Sequence, residues 1–228
     1  MNYKNISLTA TGQFREKRKD AAEGYIAEPW EMGDKSGTSY VKYHTNLKGK
    51  LTRMVLSAPA YNENLLQLSI SIEEDADNVA TITIPYLDYK GIWLSDWVTA
   101  IAPILGSLKE GMNIECWLNS KTKDKSDRLY KNIYFKNVDT GEYVGVNFTR
   151  EDVPNWTSTV EKHPRTKIES TVWNRDANND FLVEKIEEAI ATFGTSPAPA
   201  PATQSPKAEK PKKEAVVVEE EPDDLPFG

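Results

Sequence analysis

Four apolar residues at every second position, Leu66, Leu68, Ile70 and Ile72, separated by Gln67, Ser69 and Ser71, constrain this chain more than any other stretch. A period of two puts one row of side chains on each face of an extended strand, whereas a helix would scatter the same residues around its axis. The segment is therefore a half-buried β-strand, and its neighbours repeat the pattern. Tyr40 to Leu56 reads as one long, roughly alternating strand, with Gly49 as a candidate bulge or bend. Residues 58–64 would join the two strands as a hairpin, and an acidic turn from Glu73 to Asn78 leads into a third, Val79 to Pro85.

After Ser95, a helix-capping residue, the spacing changes: Trp97, Ile101, Ile104 and Leu105 spread as on a helix that Pro103 keeps short or kinked. Met112 to Asn119 and Arg128 to Val138 return to strand spacing, and a turn at Asp139-Thr140-Gly141 precedes a last strand, Tyr143 to Phe148. Three strands, a helix and at least two more strands is the order of the oligonucleotide/oligosaccharide-binding barrel, a five-stranded Greek key. The expected fold class is mainly β: an OB-fold-like five-stranded barrel with added strands. Residues 1–36 and 149–176 fit no barrel strand clearly and are expected to be an arm or extra strand and a long excursion. No internal repeat is visible.

Near the end, DFLVEKIEEAIATFG places Leu182, Ile186, Ile190 and Phe193 on one helical face, with Asn178, Asn179 and Asp180 as capping residues and Gly194 as a stop. Its apolar stripe is expected to pack on the main domain. Beyond it, residues 195–214 contain five prolines and no large apolar side chain, so they cannot nucleate a core. The chain thus divides into a domain at 1–194 and a disordered, Pro-rich linker with an acidic tip at 195–228. Flexible residues 195–221 would span about 30 Å on average.

The net charge of −7 disfavours a nucleic-acid partner only if it is spread evenly. Residues 195–228 hold four Lys and seven Asp or Glu, which leaves 24 basic and 28 acidic groups on the body. Binding of nucleic acid must then rest on local clusters. Cys116 is the lone cysteine, so an intrachain disulfide is impossible and a reducing compartment is expected. With no apolar run approaching a membrane span and no leader-like N-terminus, the expected location is the cytoplasm.

Two strand faces combine cations with aromatics. From Arg128, the odd positions Leu129, Ile133 and Phe135 suit a core, which sends Arg128, Tyr130, Asn132, Tyr134 and Lys136 outward. With Lys121, Lys123 and Lys125 in the preceding loop, residues 121–136 carry six basic groups against Asp124 and Asp127. Cations track phosphates, and an exposed ring stacks a base with about 1–3 kcal/mol and little sequence preference. Met112, Ile114, Cys116 and Leu118 would be buried, leaving Trp117 outward as either a stacking platform or the cover of a secondary core. Along the first long strand, Val41, Tyr43, Leu47 and Leu51 suit the interior, and Tyr40, Lys42, His44, Lys48 and Lys50 form the second face. Each face alone is also what a solvated strand looks like. Groups at Arg15 to Lys19 and Lys162 to Lys167 are weaker signals.

Signals for catalysis are sparse. One Cys and two distant His, at 44 and 163, cannot build a zinc site, and Gly106 to Gly111 lacks the Lys and Ser/Thr of a phosphate-binding loop. Glu73 to Asp77 has the hard oxygens that Mg²⁺ takes in a nuclease, but also the composition of a hairpin turn. No cofactor, no metal and no enzymatic activity are expected.

The chain closes with Pro222-Asp223-Asp224-Leu225-Pro226-Phe227-Gly228, two apolar side chains behind an acidic run. Such a segment cannot fold alone but can be held by a small apolar pocket rimmed with Lys or Arg. It resembles the acidic tip of bacterial and phage single-stranded DNA-binding proteins, which typically end in Asp-Asp-Ile-Pro-Phe behind a flexible linker; here Gly228 follows the Phe. The resemblance covers the tail only. It implies a divergent, phage-encoded member that binds and protects single-stranded DNA. Its residues Asp223, Asp224, Leu225, Pro226 and Phe227 would recruit replication, recombination or repair proteins and could occupy the DNA groove when DNA is absent. A homo-oligomer is compatible with this. The alternatives are an interaction adaptor or RNA-binding OB-fold protein and, third, a metal-dependent nuclease.

Overall fold

The structure, a computed structural model, describes residues 1–59, 65–88, 91–123, 126–162, 165 and 169–193, without the side chains of 120–130. It is mainly β. In chain order the strands are β1 (Asn2–Leu8), β2 (Phe14–Arg18), β3 (Ile26–Met32), β4 (Lys35–His44), β5 (Asn46–Ser57), β6 (Gln67–Asp75) and β7 (Asn78–Pro85). Helix α1 (Asp96–Leu105) follows, then β8 (Asn113–Lys123), β9 (Ser126–Asn137), β10 (Thr157–Lys162), β11 (Glu169–Asn174) and helix α2 (Asp176–Ala191). The first nine strands form one sheet in the order β3-β4-β2-β1-β7-β6-β5-β8-β9, and β10 and β11 form a separate hairpin.

The long strand expected from Tyr40 to Leu56 is two strands, broken at Thr45, and this break shapes the sheet. β4 and β5 lie five places apart in the strand order. A flat sheet would separate them by about 24 Å at ~4.8 Å per strand, yet two peptide steps reach only about 7 Å. The sheet must therefore curl, and it does, into an open half-barrel. β5 then changes partners along its length: Asn46 to Lys50 pair with β8, and Lys50 to Ser57 pair with β6. Gly49 sits at that change with φ +157. A Cβ there would run into the backbone of Glu73 and Glu74 on β6, so glycine allows the close approach that the bend requires.

The expected run of three strands, helix and two strands corresponds to β5, β6, β7, α1, β8 and β9. Ser95 caps α1 as its sequence suggested, accepting a hydrogen bond from Val98 N at 3.2 Å. The helix buries Trp97, Val98, Ile101, Ala102 and Leu105 against the inner face of the sheet, where Leu51, Leu68, Ile70, Ile72, Ile82 and Ile84 lie. α2 adds Leu182, Ile186 and Ala189 to the same core, and Phe193, two residues past its end, joins them. Its expected caps lie inside the helix: Asn179 Oδ1 instead accepts from Leu94 N, Asn178 donates to the Pro154 carbonyl, and Asn174 Oδ1 receives Asp176 N.

Of the two expectations for residues 1–36, an arm or an extra strand, it is added strands that form. These are β1 to β3, with β1 parallel to β7 and in register at Ile6 and Ile82. The excursion at 149–176 contains the β10–β11 hairpin. Tyr143 to Phe148 is not a strand: Tyr143 makes an isolated bridge to Lys136, after which the segment leaves β9. Asn147 N then bonds the Pro103 carbonyl at 2.7 Å and Phe148 packs edge-on against Phe181 of α2. Among the described residues no helix is long and apolar enough to cross a membrane.

Candidate nucleic-acid interface

β8 and β9 pair in a register that sets Trp117 opposite Tyr134 and Cys116 opposite Phe135. Because Ile114, Cys116, Leu118, Ile133 and Phe135 are buried, the even-odd alternation sends Trp117 and Tyr134 to the outer face. Their rings stack with centroids 5.8 Å apart and planes 21° from parallel. Tyr143, brought beside Lys136 by the isolated bridge, meets the Trp117 ring edge-on at 5.6 Å and is itself 67% exposed. Trp117 is thus the half-buried centre of a surface aromatic cluster. Tyr143 was missed because it reads as one more strand residue; the glycine turn ahead of it, which folds it back onto Lys136, was the available signal.

A polar row borders the rings. The register aligns Lys48 of β5 with Glu115 of β8, and Glu115 with Lys136 of β9. Asn46 stands opposite Trp117 and donates to Glu115, so the carboxylate between the two lysines is engaged by an amide. Asn119 and Asn132 form the next pair along, where their amides can both donate and accept. Lys50 is exposed at the corner, aligned with Asn113 and Glu73. The backbones of Lys121, Lys123, Arg128 and Tyr130 continue β8 and β9, with Lys121 opposite Tyr130, while their side chains lie outside the described residues. Lys125 and the tip residues Asp223, Asp224, Leu225, Pro226 and Phe227 also lie outside them.

Tyr40 and Lys42 do not belong to this site. They are on β4, five places from β5 in the strand order, and on the opposite face. His44 aligns with the fully buried Phe14, and Lys42 with the buried Glu16, so Tyr40, Lys42 and His44 share the side that carries the core. Val41, expected inside the barrel, is buried on the other side, apart from the main core, and Tyr43 is exposed. The bend at Thr45 is the reason: Leu47 faces the core as His44 does, an odd step where strict alternation needs an even one, and a one-residue slip exchanges the faces.

The displaced residues have internal partners. Tyr25 donates to Glu16, His44 Nε2 lies 3.1 Å from Glu16 Oε2, and Lys42 and Arg18 sit 5.9 and 5.3 Å from the Tyr25 ring. Burial and the Glu16 carboxylate push the Tyr25 hydroxyl above its usual pKa. Arg15, from the weaker basic group, is ion-paired with Glu28, which also accepts from Tyr43.

Two groups weighed for chemistry have plain surroundings. Burial pushes the Cys116 thiol up to about 12, which keeps it protonated at neutral pH. In the acidic turn, Asp75 accepts from Asp77 N and Asn78 Nδ2, bonds that lower its pKa, and Glu74 pairs with Lys4. Among the described residues no three Asp, Glu, His or Cys gather as a metal site. Comparison of the chain with protein-family models, curated proteins and solved structures returned no match.

Proposed function

We propose that this protein binds single-stranded DNA without catalysis, laying the strand across the outer face of β5, β8 and β9. The observation that carries the proposal is the cluster of Trp117, Tyr134 and Tyr143, flanked by Lys48 and Lys136 on one face. Bases stack on sequence-tolerant aromatic surfaces while lysines neutralise phosphates, and the paired asparagines add adaptable hydrogen bonds. The scaffold is read as OB-fold-like on two grounds: the order of β5 to β9 around α1, and a first strand that bends at a glycine to pair on both sides. The acidic tip is the recruiting element for replication, recombination or repair proteins, a reading supported by its resemblance to the tips of single-stranded DNA-binding proteins.

Titration with oligo-dT tests the proposal. Tryptophan emission should be quenched, and affinity should fall steeply as salt rises. An unchanged spectrum at low salt, with no shift of a labelled oligonucleotide, would overturn it.

A further inference from the structure

The β10–β11 hairpin stands outside the nine-stranded sheet, and all six residues of each strand are exposed. Two-stranded hairpins are marginally stable in water, so one that keeps its aromatic side chains in solvent calls for a partner. Its register divides the residues cleanly. Ser158 aligns with Trp173 and Val160 with Thr171, so Trp173 and Val160 share one face, while Thr157, Thr159 and Glu161 lie on the other. Trp156, just before β10, has the same parity and meets Trp173 edge-on at 6.4 Å. Trp156 is 40% exposed, Trp173 54% and Val160 67%.

The base of this hairpin is anchored. The Arg175 guanidinium lies 3.8 Å from the Trp156 ring centroid, and Asn178 of α2 holds the Pro154 carbonyl. A planar cation on a ring extends the stacking surface while its edge still offers N–H donors. Residues 156–175 carry Lys162, Arg165, Lys167 and Arg175 against Glu161 and Glu169, a net of +2 in a chain of −7; Lys162 pairs with Glu169 across the hairpin at 3.2 Å, so the cation at the rings is Arg175.

We infer that the exposed Trp156–Trp173 face of the hairpin, with Arg175, is a second stacking arm for single-stranded DNA; this rests on the DNA-binding reading above. Charge selects the occupant. Two copies of the chain meeting through this face about a two-fold axis would bring like-charged hairpins together, whereas a polyanion with free base faces complements both its cations and its rings.

The experiment uses the full chain and a dT 35-mer, with and without 5-iodo-deoxyuridine for photocrosslinking. The wild-type protein should crosslink at Trp156 or Trp173. Trp173→Leu, which keeps apolar bulk but loses the ring system, should weaken binding on the order of tenfold, and Trp173→Phe much less. Circular dichroism and thermal melting should match wild type, because the hairpin lies outside the main sheet. If wild-type protein binds and Trp117→Ala weakens it, but the hairpin gives no crosslink and Trp173→Leu no loss, this inference falls and the DNA-binding reading stands. If wild-type protein binds no oligonucleotide, both fall. A fall in sedimentation coefficient in Trp173→Leu at unchanged DNA affinity would instead identify a second copy as the occupant and overturn the inference.

Discussion

β4 and the β8–β9 pair offer nearly the same side chains, a short alternation of lysines and aromatic rings, and use them in opposite ways. On β4, the half-buried His44 lies beside the buried Glu16, and Lys42, though exposed, stands over the Tyr25 ring, partners that belong to the fold itself. On β8 and β9, Trp117, Tyr134 and Lys136 face outward, and the outermost ring of their cluster is largely in solvent. The contrast teaches that composition nominates a candidate face and register decides on which side of the sheet it stands. The buried Glu16 carboxylate engages His44 and Tyr25 and so ties this end of β4 into the fold.

The sharpest way to break the comparison is to remove rings from both sides. Trp117→Ala with Tyr134→Ala should weaken oligo-dT binding by about 3 kcal/mol, roughly a hundredfold, at unchanged fold. Tyr40→Ala should leave affinity within about twofold in the same titration. Equal losses would merge the two faces. Next, Glu16→Ala should cost about 2 kcal/mol in urea unfolding, since it leaves the Tyr25 and His44 polar groups without their acceptor, while DNA affinity stays unchanged. If Glu16→Ala altered binding and not stability, the inward set would be the functional one.

A smaller effect concerns single charges. Lys136→Ala and Lys48→Ala should each reduce the slope of log affinity against log salt by about 1, and Lys42→Ala should leave it unaltered. The smallest effect is expected at the tail: deleting residues 222–228 should leave DNA affinity equal or slightly higher, yet abolish capture of the partner proteins. Loss of DNA binding in that deletion would contradict the division between domain and tip.

Much of this was legible in the residues. The alternation of Leu68, Ile70 and Ile72, the Ser95 cap, the glycine bend at 49 and the outward placement of Trp117 and Tyr134 all follow from local rules that tertiary contacts did not override. β1 to β3 were legible only as an arm or one extra strand, because short strands with few apolar residues, such as Phe14-Arg15-Glu16-Lys17-Arg18, carry little periodicity and are held by pairing with distant strands. The aromatic hairpin was also missed: both of its faces are exposed, so no apolar alternation marks it.

By itself the sequence determined the elements whose apolar side chains repeat at the period of their own backbone, since burying one face is a local demand that neighbouring residues state directly. The tertiary structure alone decided which strands meet and on which side of the sheet a given lysine stands. A single residue, Thr45, joins strands five places apart and shifts the phase between them, and no periodicity on either side of it records that slip. The physical reason is that pairing energy comes from partners remote in sequence, whereas alternation reports only that a strand has two faces.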